Sequence, residues 1–111
     1  MSEVSAEDQK LITLARGARG RIGAPAGAAV RDETGRTYAS ASVNLESVGL
    51  TAIQAAVIQA VASGARGLEA VVQVGDEDEQ PGITAARDVG GPGVLVLLCN
   101  ADGSMRTSVT T

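Results

Sequence analysis

Few side chains in this sequence are able to do chemistry. The 111 residues include no His, one Cys and one Tyr. A zinc site built from His and Cys ligands is therefore excluded. Catalysis by a His base is excluded too, including every Ser–His or Cys–His arrangement. What remains is an acidic run, Asp76-Glu77-Asp78-Glu79, the lone Cys99, Thr51, and the glycine groups Gly17-x-x-Gly20 and Gly90-Gly91-Pro92-Gly93. The acids could hold Mg²⁺ or Ca²⁺ through oxygen. Their spacing matches no calcium loop, and consecutive acids ordinarily form a solvated loop. Cys99 ends an apolar run. Its ordinary role is that of a small buried residue, and a reactive thiol would need a depressed pKa. Neither glycine group sits between a strand and a helix as a Walker loop or a dinucleotide fingerprint requires. Thr51 opens an apolar segment, where a hydroxyl serves as a helix cap or as a polar contact for a ligand.

Composition narrows the classes further. The length fits one domain, 1–111, able to bury a core without staples. The net charge is −4 and the pI about 4.6, which argues against nucleic acid as a partner. With one aromatic residue there is no platform on which bases could stack. A single Cys forms no intrachain disulfide. Residues 1–10 are polar and mostly acidic, unlike a signal peptide, and no apolar run reaches the ~18 residues of a membrane span. The expected setting is the cytoplasm, with no membrane partner.

The elements that must position these residues read as follows. Ser5 can cap a helix whose first turn holds Glu7 and Asp8, with Leu11, Leu14, Ala15 and Ala18 on one face. Gly17 and Gly20 should fray it, giving a helix from about 5 to 19. Residues 26–31, the turn cluster Asp32-Glu33-Thr34-Gly35 and the alternating stretch 36–43 read as a β-hairpin. Gly27, Ala28 and Ala29 suggest close approach by another backbone or helix. Residues 50–63 carry no charge and step as Leu50, Ile53, Val57, Val61, with Ala52, Ala55, Ala56 and Ala60 between. Such a helix should be buried on most sides. A β-branched strand spans 68–74, the acids form a loop, and 81–89 can form a short helix with Pro81 in its first turn. Residues 94–98 are continuously apolar, as in a strand buried on both faces. Asn100-Ala101-Asp102-Gly103 turns the chain into a last strand, 104–110. The order is α-β-β-α-β-(α)-β-β.

That order, with an uncharged helix between a hairpin and a third strand, resembles the cytidine deaminase superfamily. Gly27-Ala28-Ala29-Val30 followed by Thr34-Gly35-Arg36 and Tyr38 is similar to the family's first hairpin. Ala60-Val61 to Gly64 is similar to the end of its central helix, and Val94 to Asp102-Gly103 to its fourth strand and turn. Thr107-Ser108-Val109 is similar to its last strand. The likeness runs from about Gly27 to Val109, and the sequence ends at Thr111, ahead of the family's next segment. It implies a three-layer α/β/α sandwich on a five-stranded mixed sheet.

The family's chemistry uses a zinc ion, held by Cys or His plus two Cys, and a Glu that shuttles the proton. By the resemblance, Thr51-Ala52-Ile53 stands where the family has Cys-Ala-Glu. Pro81 matches the proline of the second motif, with Gly82 and Ala85 in place of its two Cys. The ribose-binding Asn-x-Glu falls on Ser42-Val43-Asn44, and Asn44-Leu45-Glu46 carries the right letters two residues late. The resemblance thus implies a degenerate member: no catalytic residue, no metal, no cofactor, and a vestigial pocket formed by Ser42, Asn44, Thr51, Ile53 and Pro81. The expected function is a non-catalytic oligomeric scaffold or interaction module. The alternative is a nucleoside- or nucleotide-binding protein with a zinc-free pocket. The family's habit implies a homotetramer ahead of a dimer, with the alanines of segment 50–63 letting helices of neighbouring subunits approach.

Overall fold

The computed structural model describes residues 4–111, so the first part of the polar start, residues 1–3, lies outside the described residues. Helix α1 (Ala6–Ile22) begins where Ser5 accepts a hydrogen bond from the Asp8 N–H at 3.1 Å. It does not end at Gly17 or Gly20. It runs to Ile22 and stops at Gly23, whose φ of 64° is the left-handed cap conformation. Leu11, Ile12, Ala15 and Ala18 are buried along its inner face, and that packing outweighs the weak helix propensity of the two glycines.

Strands β1 (Ala26–Asp32) and β2 (Thr37–Ala41) form the expected hairpin. Asp32 organises its turn. Its carboxylate accepts hydrogen bonds from the Thr34 N–H, the Thr34 hydroxyl, the Arg36 N–H and the Tyr38 hydroxyl at 2.7–3.0 Å. Beyond the hairpin, β3 (Val43–Asn44) and β4 (Gly49–Leu50) pair in a short ladder that periodicity did not reveal, since two-residue strands carry no alternation. Then come α2 (Ala52–Ala62), β5 (Leu68–Gly75), α3 (Gln80–Gly90), β6 (Leu95–Cys99) and β7 (Met105–Thr110).

The main sheet has the order β2-β1-β5-β6-β7. Only β5 and β6 are parallel, joined by a crossover through α3, and all other pairs are antiparallel. Alternate residues of the strands face two separate cores. Leu11, Ile12 and Ala15 of α1 meet Ala29, Val72, Val74, Leu97 and Cys99 on one side. Ile53, Ala56, Val57 and Ala60 of α2 and Ala86 of α3 meet Val30, Val71, Val96 and Leu98 on the other. The layers are therefore α1, sheet, and α2 with α3. Gly27 is the point of closest approach: a Cβ there would sit 2.8 Å from the Arg19 Cβ. Arg31 fastens the same layer by ion pairs to Asp8 of α1 at 3.0 Å and to Glu69 of β5 at 2.8 Å.

Helix α2 is less enclosed than its composition predicts. Its alanines 52, 55, 56 and 60 are all buried against the chain's own core, so they serve approach within the subunit. The outward face carries Ile58, 51% exposed, and Val61, 48% exposed.

Candidate functional site

The loops before α2 and α3 and the β3–β4 ladder enclose a cleft of about 470 Å³. Ser42, Asn44 and Thr51 line it, together with Gln54 and Glu77. The other two residues of the expected pocket stand apart from its lining. Ile53 is fully buried in the core between α2 and the sheet. Pro81 is half-buried in the first turn of α3.

The backbone N–H groups of Thr51, Ala52 and Gln54 at the start of α2 are all engaged by the chain itself. The Thr51 hydroxyl accepts the Gln54 N–H at 3.2 Å, and the Gln54 side chain accepts the Thr51 N–H at 3.0 Å. This is a reciprocal capping box, and the Thr-x-x-Gln spacing was its signal in the sequence. The Ala52 N–H donates to the Glu77 carboxylate at 2.8 Å. An anion is stabilised there by the free N–H groups and the helix dipole. Asp76 and Asp78 are exposed, as a solvated loop requires, whereas Glu77 turns inward to this contact. Sequence reasoning missed Glu77 because its partner lies 25 residues away. Below the loop, Gln73 is 1% exposed. Its amide N–H donates to the Glu77 carbonyl at 3.2 Å, and its Oε1 has no partner.

Ile53 and Gly82 explain each other. A Cβ at position 82 would collide with the Ile53 Cβ and lie 2.8 Å from its Cγ2. The Ile53 side chain thus fills the space that a side chain at position 82 would need, and α3 packs on α2 through that gap. Ala85 is half-buried in the same core.

A family model described as cytidine deaminase-like matches residues 4–103. The chain belongs to this family. Among solved structures, cytidine deaminase from Burkholderia pseudomallei is similar at 22% identity and a TM-score of 0.77, with 97% of this chain and 92% of that one covered. Cytidine deaminase from Mycobacterium leprae is similar at 19% identity and a TM-score of 0.73, covering 96% and 94%. The enzyme from Bacillus anthracis gives 19% and 0.69, covering 96% and 84%. At these identities the likeness establishes the fold. A search among curated proteins finds no match.

The resemblance puts the family's zinc ligands at Thr51, Gly82 and Ala85. Thr51 offers a hydroxyl already used in the cap, and the other two offer no donor atom. Among the described residues, no group of three or more His, Cys, Asp or Glu is placed to hold a metal ion. The residues present do not fit the zinc ion. Cys99 cannot supply a ligand, because it lies in the α1-side core across the sheet from α2. Burial pushes its thiol above the ordinary value; Arg106 opposes that shift and Asp102 adds to it. Among the described residues, no helix is long and apolar enough to cross a membrane.

Proposed function

We propose that this chain is a non-catalytic member of the cytidine deaminase-like family that works as an oligomeric scaffold or interaction module. The observation that carries the reading is the mutual packing of Ile53 and Gly82. A buried aliphatic side chain occupies the place where the family's chemistry needs an acid, and it leaves no room for a ligand at position 82. The Glu77 carboxylate on the start of α2 supports the same reading, since it engages the Ala52 N–H internally. Incubation with cytidine and deoxycytidine in zinc-supplemented buffer tests it. The expected rate equals that of a protein-free blank, and turnover above the blank overturns the reading.

The proposed assembly is a homo-oligomer, tetramer ahead of dimer, in the cytoplasm. Ile58 and Val61 on the outward face of α2, with Leu45 and Val48 at the tip of the β3–β4 ladder, support it as exposed apolar groups. Light scattering should give a multiple of the 11.1 kDa chain mass, and Val61→Glu should reduce it. A monomeric mass at all micromolar concentrations contradicts the assembly.

A second reading, a nucleoside- or nucleotide-binding protein, is favoured by one feature: Ser42, Asn44, Thr51, Gln54 and Glu77 converge on an open cleft. Calorimetric titration with cytidine, uridine and their monophosphates separates the two. Micromolar binding abolished by Asn44→Ala would select the second. Binding weaker than about millimolar would favour the first.

A further inference from the structure

We propose a second site, for a phosphate monoester, on the α1 side of the sheet at the carboxyl ends of β5 and β6. A cavity of about 510 Å³ opens there, of a size ordinary for a small ligand. Arg19 of α1 and Arg106 of β7 both line it. Among the described residues neither guanidinium lies within ion-pair distance of a carboxylate, Asp76 of the same lining included. What distinguishes Arg19 and Arg106 is that the two guanidiniums line one cavity. They make a place where tetrahedral anionic oxygens find charge-assisted, forked donors.

The surroundings hold Arg19 in position, while Arg106 is exposed at the rim. The Arg19 Nε donates to the Pro25 carbonyl at 3.4 Å. Gly75, with φ of 100°, lets the Pro25 carbonyl pack against the end of β5, where a Cβ would collide with it, and Arg19 lies beside that contact: the same Cβ would stand 3.2 Å from its Nε. Asn100 gives one side-chain N–H to the Ser104 hydroxyl at 3.0 Å and keeps a second. β5 and β6 are the parallel pair of the sheet, so their carboxyl ends lie side by side at this cavity. Asp76 also lines the cavity. It repels a bare anion and suits a hydroxyl donor, which is why a monoester with a hydroxylated carbon part fits better than inorganic phosphate.

The two cavities share Pro25, but the charged groups proposed to bind the phosphate line only this one, so its failure leaves the proposed function untouched. The test is titration of the full chain with inorganic phosphate and with glycerol phosphate at fixed ionic strength, read by amide shifts of Gly75, Asp76, Asn100 and Ala101. The expected result is saturable shifts with tighter binding of glycerol phosphate. Arg19→Gln and Arg106→Gln should each weaken binding about tenfold. Asp76→Asn should tighten binding of inorganic phosphate, a sign that a merely structural role would not produce. The proposal is overturned by the absence of saturation up to tens of millimolar. It is overturned equally by shifts that chloride reproduces at the same ionic strength, or by binding that survives both arginine substitutions.

Discussion

Replacing Ile53 by Glu puts an acid at the position where the resemblance implies the family's acid, and the outcome distinguishes a core position from a reactive one. Ile53 is 0% exposed and is surrounded by Ala56, Val57, Gly82 and the sheet. Removing its apolar burial costs about 2–3 kcal/mol. A carboxyl in such a place acquires a pKa near about 8–9, against about 4.3 in the unfolded chain. At pH 8 the native state must hold it neutral or bury its charge, which adds about 5 kcal/mol. The variant should then lose about 7–8 kcal/mol of the roughly 5–15 kcal/mol available to a domain of this size, and be largely unfolded. At pH 4.5 the unfolded chain also keeps much of the proton, so most of that addition vanishes. The sign follows from linkage: the native state binds more protons than the unfolded one between the two pKa values. Stability therefore falls as pH rises through that window. Urea denaturation followed by circular dichroism at the two pH values measures this, with Ile53→Val as a control expected to cost about 1 kcal/mol. A variant as stable as the parent at pH 8, or one whose stability ignores pH, would refute the packing argument.

Three further outcomes follow from single contacts. Thr51→Ala removes the capping box and should cost about 1 kcal/mol in chemical denaturation, with little change for a Thr51→Ser control. Burial opposes ionisation of Asp32, but hydrogen bonds from Thr34, Tyr38 and Arg36 outweigh it and hold its carboxyl below the ordinary 3.8. Its contribution to stability is thus complete above that value and is lost as pH falls below it. Asp32→Asn should flatten the acid limb of a stability–pH curve. Cys99 is 1% exposed and its thiol is pushed up by burial, so a thiol reagent should leave the native protein unmodified and react on addition of urea.

Much of the fold was legible because long segments carried one unambiguous pattern. The uncharged run before Gly64, the β-branched run before Gly75 and the apolar run ending at Cys99 all became the elements their periodicity dictates. The end of α1 was not legible, since the weak propensity of Gly17 and Gly20 is overridden by a buried face visible only once the sheet is in place. The role of the alanines in α2 was misjudged for a related reason. Composition reveals that a helix can be approached closely, but not whether the neighbour is the chain's own sheet or another subunit. At the site, the absence of side-chain donors at positions 82 and 85 was plain in the sequence, as was the capping role open to Thr51. The Ile53–Gly82 fit and the inward turn of Glu77 were not, because each depends on residues 25 or more positions apart meeting in space.

The proposed function has packing at the start of α2 and α3 where the family uses a metal. Elemental analysis of the protein, purified without chelator after growth with added zinc, tests this. The expected zinc content is near zero per chain, unchanged by dialysis against micromolar zinc. A content near one per chain, lost on Glu77→Gln or Thr51→Ala, would contradict it.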